Sequence, residues 1–521
     1  MSTALQLFIH EAIETVKTPE DLRRLKRGYA LAQKTSLPQN RTILAEYRKL
    51  REKNAAPPAP MLEQLLKIRS IRTLSGVAPI AVHTKPLGCP GKCVYCPTED
   101  SMPKSYLSTQ PAVKRSMAND FDPDRMVASR IAMLESNGHT TDKCELIVMG
   151  GTWSAHPKRY QETFLKGCFD GFNGRRAKSL EEAQAWNETA AHRCVGMTLE
   201  TRPDWITEEE IQRWRRYGAT RVELGVQSIF PDVLNLIARG HGVDAVWRAT
   251  ELFKNAGFKI TYHLMPGLPG STPERDRKMF QTIFSDPHYQ PDQIKIYPCL
   301  VNKHAELYQW WKDGRFIPYD DDTLDTLLGE LKRMVPPHVR IARIFRDFPG
   351  ESIQAGSAIT NIRQLLQERL RAQGIPCVCL RCREARNQKI DLKNLEFVLR
   401  SYPASSGAEH FLSFESRDRT ILYAFLRLRF NGSHKHPFLP ELHNAALVRE
   451  LHTYGELMPV GGKSTSVQHL GLGKELMTRA EKMAAEYGWK KLAVIAGIGV
   501  REYYHKRGYH LEGTYMIKKL E

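Results

Sequence analysis

Leu87-Gly88-Cys89-Pro90-Gly91-Lys92-Cys93-Val94-Tyr95-Cys96-Pro97 decides how the rest of this 521-residue chain is read. Its three cysteines are spaced C-x3-C-x2-C and follow closely on an apolar run, Val77 to Val82. Thiolates are soft ligands, and iron–sulfur clusters are held by them. Three thiolates on a four-iron cluster leave one iron open to a substrate or cofactor. A structural zinc loop is the rival reading; it needs a fourth ligand and usually sets its ligands in pairs. Pro90 and Gly91 suit a tight cage under either reading.

Composition sets the bounds. Apolar residues make up 41% of the chain and charged residues 26%, the balance of an ordinary globular protein long enough for several domains. No run of about 18 apolar residues occurs, so no membrane partner is expected. Met1-Ser2-Thr3-Ala4-Leu5-Gln6 lacks the layout of a secretory signal, and a cytoplasmic location follows as an expectation. Six of the ten cysteines fall in two tight clusters, Cys89, Cys93, Cys96 and Cys377, Cys379, Cys382, which in a reducing compartment argues for metal over disulfides. Cys144, Cys168 and Cys194 read as buried thiols. The formal net charge of +18 points to a polyanionic partner, nucleic acid first, with solubility alone as the plainer alternative.

Residues 1–75 read as a basic helical segment. Leu5, Ile9, Ile13 and Val16 recur at helical spacing, and Thr18-Pro19-Glu20-Asp21 reads as a cap and first turn. The helix that follows carries Arg23, Arg24, Lys26 and Arg27, a candidate face for RNA backbone or a merely solvated one. Residues 76–315 alternate strands with helices. The strand candidates are Pro79–His83, Cys144–Met149, Cys194–Glu200, Arg221–Val226, Lys259–Leu264 and Gln293–Tyr297. Six βα repeats imply an α/β fold, a partial (β/α)6 TIM-like barrel with its catalytic groups at the C-terminal strand ends. Polar motifs fall at those ends: Met149-Gly150-Gly151-Thr152, Glu200-Thr201-Arg202-Pro203-Asp204, Gly225-Val226-Gln227-Ser228 and His263-Leu264-Met265-Pro266-Gly267-Leu268-Pro269. Residues 316–395 form a basic connector holding Cys377, Cys379 and Cys382. Zinc is the first reading there, with Cys299 as a possible fourth ligand, against simple buried or free thiols. Residues 396–521 are a separate α/β unit. Within it Gln468-His469-Leu470-Gly471-Leu472-Gly473-Lys474 opens a helix after a strand, offering backbone N–H groups to a pyrophosphate.

Three resemblances attach to these motifs. The cysteine spacing is that of the radical S-adenosylmethionine (SAM) superfamily, and Gly150-Gly151 matches the glycine pair that holds the amino group of SAM there. The Q-x-x-G-x-G pattern, with Gly497-Ile498-Gly499 and the segment Arg501 to Tyr509, resembles the GCN5-related N-acetyltransferase (GNAT) fold. Together the halves resemble the catalytic-subunit family of Elongator over essentially the whole chain. Arg72-Thr73-Leu74-Ser75-Gly76-Val77, Ile147 to Thr152, Glu223 to Ser228, Arg449-Glu450-Leu451-His452 and Gln468 to Gly471 carry the likeness. Eukaryotic members space the first two cluster cysteines more widely, so the short loop points to a prokaryotic stand-alone version.

The resemblance implies carboxymethylation at C5 of the wobble uridine, position 34, in tRNA. The cofactors implied are a [4Fe–4S] cluster on Cys89, Cys93 and Cys96, SAM and acetyl-CoA. A radical made from SAM would take hydrogen from the acetyl methyl, the carbon radical would add to uridine, and thioester hydrolysis would finish the reaction. Gly150, Gly151, Glu200 and Gln227 are the implied SAM-side contacts. Lys143 would reach acetyl-CoA from the barrel, and Glu450, Leu451, His452, Thr453, Gln468, Gly471, Leu472, Gly473 and Lys474 would bind it in the C-terminal domain. Tyr504, with Tyr503 second, would stand near the thioester sulfur as a general acid, or else be a core aromatic. The active site is expected in the cleft between domains. An external electron donor, unnamed by the sequence, and a homodimer complete the partner expectations. Two other classes compete: a protein lysine acetyltransferase whose iron–sulfur barrel is structural, and a non-catalytic RNA-binding scaffold.

Overall fold

The expected strands begin β1 (Ala78–His83), β2 (Lys143–Met149), β3 (Arg193–Thr201), β4 (Arg221–Gln227), β5 (Lys259–Leu264) and β6 (Gln293–Ile296). Each end lies within one residue of the position read from the sequence. A computed structural model, which describes residues 3–68, 73, 76–359, 361–386, 392–454 and 471–521, adds a seventh strand, β7 (Arg340–Ile344). The connector thus supplies a strand to the barrel. All seven pair in parallel in sequence order, and β7 pairs with β6 but not with β1, so the sheet is a half-barrel with an open side.

The crossover helices start where the sequence places hydroxyl or carboxylate caps. Asp122, Thr207 and Thr272 each accept a hydrogen bond from a first-turn backbone N–H, and Pro123 and Pro273 occupy the first turn, where the missing donor is harmless. Strand alternation then decides the two faces of the sheet. On β2, Cys144, Leu146 and Val148 are fully buried under helices, whereas Lys143, Glu145, Ile147 and Met149 look into the lumen and are half-buried. The lumen-facing residues of the next strands are polar as well: Thr198 and Glu200, Arg221 and Glu223, Thr261 and His263, Gln293 and Lys295. Hydrogen bonds and ion pairs among them place them on one face. A closed barrel fills its interior with branched apolar side chains. This one is lined by polar side chains, of which His263, Gln293 and Lys295 keep part of their surface exposed.

The N-terminal segment forms helices α1 (Thr3–Thr15), α2 (Pro19–Ala32), α3 (Asn40–Glu52) and α4 (Pro60–Leu66) around their own core of Phe8, Ile9, Ile43, Leu44, Tyr47, Leu62 and Leu66. The C-terminal unit is a second seven-stranded sheet of β8 (Leu395–Ala404), β9 (Gly407–Ser416), β10 (Leu422–Phe430), β11 (Ala445–Thr453), β12 (Lys491–Val494), β13 (His510–Glu512) and β14 (Tyr515–Lys519), in the order β13-β14-β12-β11-β10-β9-β8. Only β11 and β12 run parallel in it, and the helix Leu472–Glu486 packs across β10 and β11.

The C-terminal sheet docks on the loops that precede the barrel strands, not on those that follow them. Arg501 pairs with Glu188 before β3, Gly218 before β4 touches Ile498, Tyr515 bonds Ala256 before β5, Arg449 pairs with Asp292 before β6, and Arg427 bonds His338 before β7. Lys254, Asp292, Glu409, Arg427, Arg429 and Arg449 form a fully buried ionic network at this joint. No helix of the described residues is long and apolar enough to cross a membrane.

Candidate active site

At the C-terminal end of the half-barrel the cysteine loop is pinned from two sides. Val94 N–H donates to Ile237 O, and Leu307 N–H donates to Val94 O at 2.8 Å. Cys89 Sγ lies 3.4 Å from Thr152 Oγ1, which brings the first cysteine to the end of β2, and Cys93 Sγ lies 3.4 Å from the Arg239 guanidinium. Burial, then Cys93 beside it, pushes the Cys96 thiol up to about 11. Gly150 and Gly151 adopt positive φ, and a Cβ at Gly150 would sit 2.0 Å from Thr84 Oγ1, so only glycine fits that turn. Gln227 is left-handed at φ +69, a strained conformation for a side-chain-bearing residue.

Buried polar atoms without partners are rare in folded proteins, yet they gather around this loop. Gln227 Oε1, Thr84 Oγ1, Arg202 Nη1, Arg239 Nε and His241 Nε2 are all sealed and unpartnered among the described residues. Three thiols, a guanidinium against one of them and a rim of unsatisfied donors and acceptors fit an anionic thiolate-bound cluster with a polar cofactor over it.

Deeper in the lumen Glu200 stands beside Glu223, His263 and Lys295, to which the sequence reading gave no individual role. Glu223 accepts from His263 Nε2 at 2.7 Å and from Lys295 Nζ. Burial alone would raise the Glu223 carboxyl, but Lys295 and His263 outweigh it and hold it far below the carboxylate range. Glu200 accepts from Tyr106 Oη at 2.9 Å, and burial, reinforced by Glu223, pushes its carboxyl up to about 7. Burial holds His263 down at about 4. The signal lies in V-E-L-G-V-Q, K-I-T-Y-H-L and Q-I-K-I, whose period-two polar residues mark a wet inner face.

At the opposite mouth, β11 and β12 pair only over Ala445–Val448, and beyond that β11 runs on to Thr453, paired with β10 alone among the described residues. The resulting V turns the outward backbone groups of Leu451, His452 and Thr453, those not bonded to β10, toward a possible ligand. Gly471 is left-handed at φ +73, and Leu472, Gly473 and Lys474 form the first turn of the helix behind it. A Cβ on Gly473 would lie 3.4 Å from Thr453 Cγ2 and 3.5 Å from Tyr503 Oη. Tyr503 therefore reaches this mouth. Tyr504 is 6% exposed and packs against Tyr509 in the domain core. Glu450 uses its carboxylate on Lys259 and Arg427. Lys143, half-buried, opens β2 at this same end, and burial lowers its pKa. Gln468 lies outside the described residues. The joint between domains thus adjoins one lumen mouth and the cysteine loop the other, in place of the single cleft the sequence predicts.

Cys377, Cys379 and Cys382 bring their sulfurs within 4.8 Å of one another. Cys299 is not among them; it packs with Val94, Leu268 and Phe316, its N–H bonded to Pro266 O, at the other end of the barrel. The expectation of Cys299 as a fourth ligand is corrected, because Cys299 lies past the C-terminal end of β6, whereas the chain after β7 returns to place the triad beside the start of β7, with Leu380 N–H donating to Val339 O. On α2, Arg23, Arg24 and Arg27 are exposed, whereas Lys26 is half-buried and donates to Asn40 Oδ1.

A parallel half-barrel with a three-cysteine loop past its first strand, joined to a mixed sheet with a splayed parallel pair, defines a radical-SAM enzyme carrying an acetyltransferase-like domain. The Radical SAM superfamily profile matches residues 85–283, and the Radical_SAM C-terminal domain profile matches residues 291–372. Over 93% of its length the chain is 45% identical to the tRNA uridine(34) acetyltransferase of Methanocaldococcus infernus, covering 92% of that protein, and over 90% it is 40% identical to human Elongator complex protein 3, covering 89%. The solved structure of archaeal Methanocaldococcus infernus Elp3 with an N-terminal deletion superposes with a TM-score of 0.76 at 44% identity, covering 86% of this chain and all of that one. The chain belongs to the family of tRNA uridine(34) acetyltransferases and Elongator complex protein 3.

Proposed function

We propose that this enzyme carboxymethylates C5 of the wobble uridine of tRNA, drawing the two-carbon unit from acetyl-CoA. The names of its relatives support the tRNA target. The observation that carries the reading is the polar lumen, which opens at one end on the cysteine loop and at the other on the acetyltransferase-like domain. Lys143 to Met149 spans it, about 20 Å at ~3.3 Å per residue. Cys89, Cys93 and Cys96 would hold the cluster, Arg239 would balance its charge, and Gly150, Gly151, Glu200 and Gln227 would seat SAM. When bound, cluster and SAM supply a radical able to take hydrogen from an unactivated methyl group.

Leu451 to Thr453, Gly471 to Lys474 and Tyr503 would hold acetyl-CoA in the V of the second sheet, with Lys143 facing it across the joint. Arg23, Arg24 and Arg27 would meet tRNA phosphates; the present pairs of Arg23 with Glu20 and of Arg24 with Asp21 lie at the surface, are worth little and are easily exchanged. The cysteine triad suits zinc in a structural role, holding the chain after β7. The test is anaerobic incubation of reconstituted protein with tRNA, SAM and acetyl-CoA, followed by nucleoside mass analysis. The reading requires 5-carboxymethyluridine, dependent on both small molecules and on Cys89. Acetylated lysine peptide formed without SAM, undiminished in a folded Cys89→Ala variant, would replace it with the protein acetyltransferase.

A further inference from the structure

We propose that His263, oriented by Glu223, is the general base that activates water for hydrolysis of the thioester once the two-carbon unit is attached to uridine. The proposal rests on the function just stated. Glu223 is held as a carboxylate by Lys295 and His263, and a carboxylate only accepts; the ring nitrogen 2.7 Å from it, Nε2, therefore carries the proton. That leaves the lone pair on Nδ1. No described residue bonds Nδ1, and it is not among the sealed unpartnered atoms, so it opens on the lumen. The ring is kept in place by edge-on packing against Tyr297, centroids 5.3 Å apart. A carboxylate fixing one nitrogen of a neutral imidazole so that the other can take a proton is the arrangement hydrolases use.

Position supports the role. Lys259, at the start of β5, touches Glu450 of the acetyltransferase-like sheet, and His263 lies four residues further along the same strand, about 13 Å into the lumen. A flexible pantetheine arm entering from the joint spans that distance. Other lumen groups are less suited. Lys295 is an ion-paired cation without a lone pair, Glu223 is fully engaged, and Glu200 is bound by Tyr106. His452, nearer the joint, has no orienting carboxylate bond, and its Nε2 is sealed.

In the step, the water oxygen bonds to the thioester carbonyl carbon while one water proton passes to His263 Nδ1. The carbon–sulfur bond then breaks, and that proton goes to the departing thiolate. The new carboxyl group loses the second water proton to solvent. Nothing is oxidised or reduced.

The test compares wild type with His263→Gln in the anaerobic reaction, following 5′-deoxyadenosine, free coenzyme A thiol and the mass of the tRNA nucleoside. The expected result is 5′-deoxyadenosine within about threefold of wild type, thiol release down at least ~100-fold, and tRNA trapped as its coenzyme A thioester adduct. Carboxymethyluridine formed near the wild-type rate overturns the proposal. So does an equal fall in all three readouts in a folded variant, which marks a purely structural histidine. Imidazole 15N resonances of the protein without substrates, assigned by their loss in His263→Gln, give an independent readout. A neutral ring protonated on Nε2 at pH 7 is expected, and protonation on Nδ1 overturns the dyad. Wild-type protein that forms neither 5′-deoxyadenosine nor modified tRNA refutes the proposed function itself, while the resonances still judge the dyad.

Discussion

Lys259, the first residue of β5, and Glu450, on the splayed strand β11, form an ion pair in which each side chain is 7% exposed, and it ties the mouth of the half-barrel to the second sheet. The backbone beside Glu450 lines the V in which the proposed function seats acetyl-CoA. One ion pair would then serve both cohesion of the domains and placement of the acyl donor.

Removing one partner strands the other. Glu450→Ala leaves Lys259 buried without its carboxylate and Arg427 with the Asp292 carboxylate alone, and a loss of about 3–5 kcal/mol is expected from urea unfolding. The double change Lys259→Met with Glu450→Leu should recover part of that loss. Burial alone would raise the Glu450 carboxyl, but Lys259, Arg427 and Arg221 hold it far below its unfolded value of about 4.3. Its contribution is therefore complete above that value and drains away as pH falls below it. Acid unfolding of Glu450→Gln should accordingly lack the part of the pH dependence below about 4 that wild type shows.

Gly150→Ala places a methyl 2.0 Å from Thr84 Oγ1 at a positive φ. SAM binding to reconstituted protein should weaken at least ~10-fold, equivalent to about 1.4 kcal/mol, while iron–sulfur absorbance is retained. Equilibrium dialysis with labelled SAM measures it.

Glu200, pushed up to about 7, is part protonated at neutral pH. A bound sulfonium favours its ionised form, so SAM should bind more tightly as pH rises from 6 to 8, by at most tenfold per unit below the pKa. Glu200→Gln should flatten that dependence in the same dialysis experiment.

Arg23→Glu, Arg24→Glu and Arg27→Glu together should weaken tRNA binding at every anticodon sequence and lower the salt slope by about one for each phosphate no longer neutralised. Fluorescence anisotropy across a salt series reads both. Unchanged binding removes α2 from the interface.

Tyr503→Phe should weaken acetyl-CoA binding several-fold by calorimetry, since the Tyr503 hydroxyl reaches the helix start at Gly473. Tyr504→Phe should leave binding within about twofold, its ring being part of the core with Tyr509.

Six strands of the barrel are legible in the sequence because each is a short run with apolar residues at alternate or successive positions between helix-like segments. The seventh is less so, because in Arg340-Ile341-Ala342-Arg343-Ile344 the two isoleucines stand three apart, and its pairing with β6 carries a register shift. The cysteine loop and Gly150-Gly151 are legible because their chemistry is local in the chain. Glu223, His263 and Lys295 do not stand out, because their meaning depends on three strands being neighbours. The docking of the second sheet on the N-terminal strand ends is equally out of reach, since Asp292 and Arg449 lie 157 residues apart. Motif position alone favours Tyr504 over Tyr503; which ring turns outward is a matter of packing.

Under the proposed function, chemistry begun at the cysteine loop acts on an acetyl group delivered from the other end of the lumen. The decisive measurement uses acetyl-CoA deuterated on its methyl group, incubated anaerobically with reconstituted enzyme, SAM and tRNA. Deuterium in the 5′-deoxyadenosine and two deuterons in the carboxymethyl group are expected. Unlabelled 5′-deoxyadenosine beside a carboxymethyluridine product would rule that chemistry out.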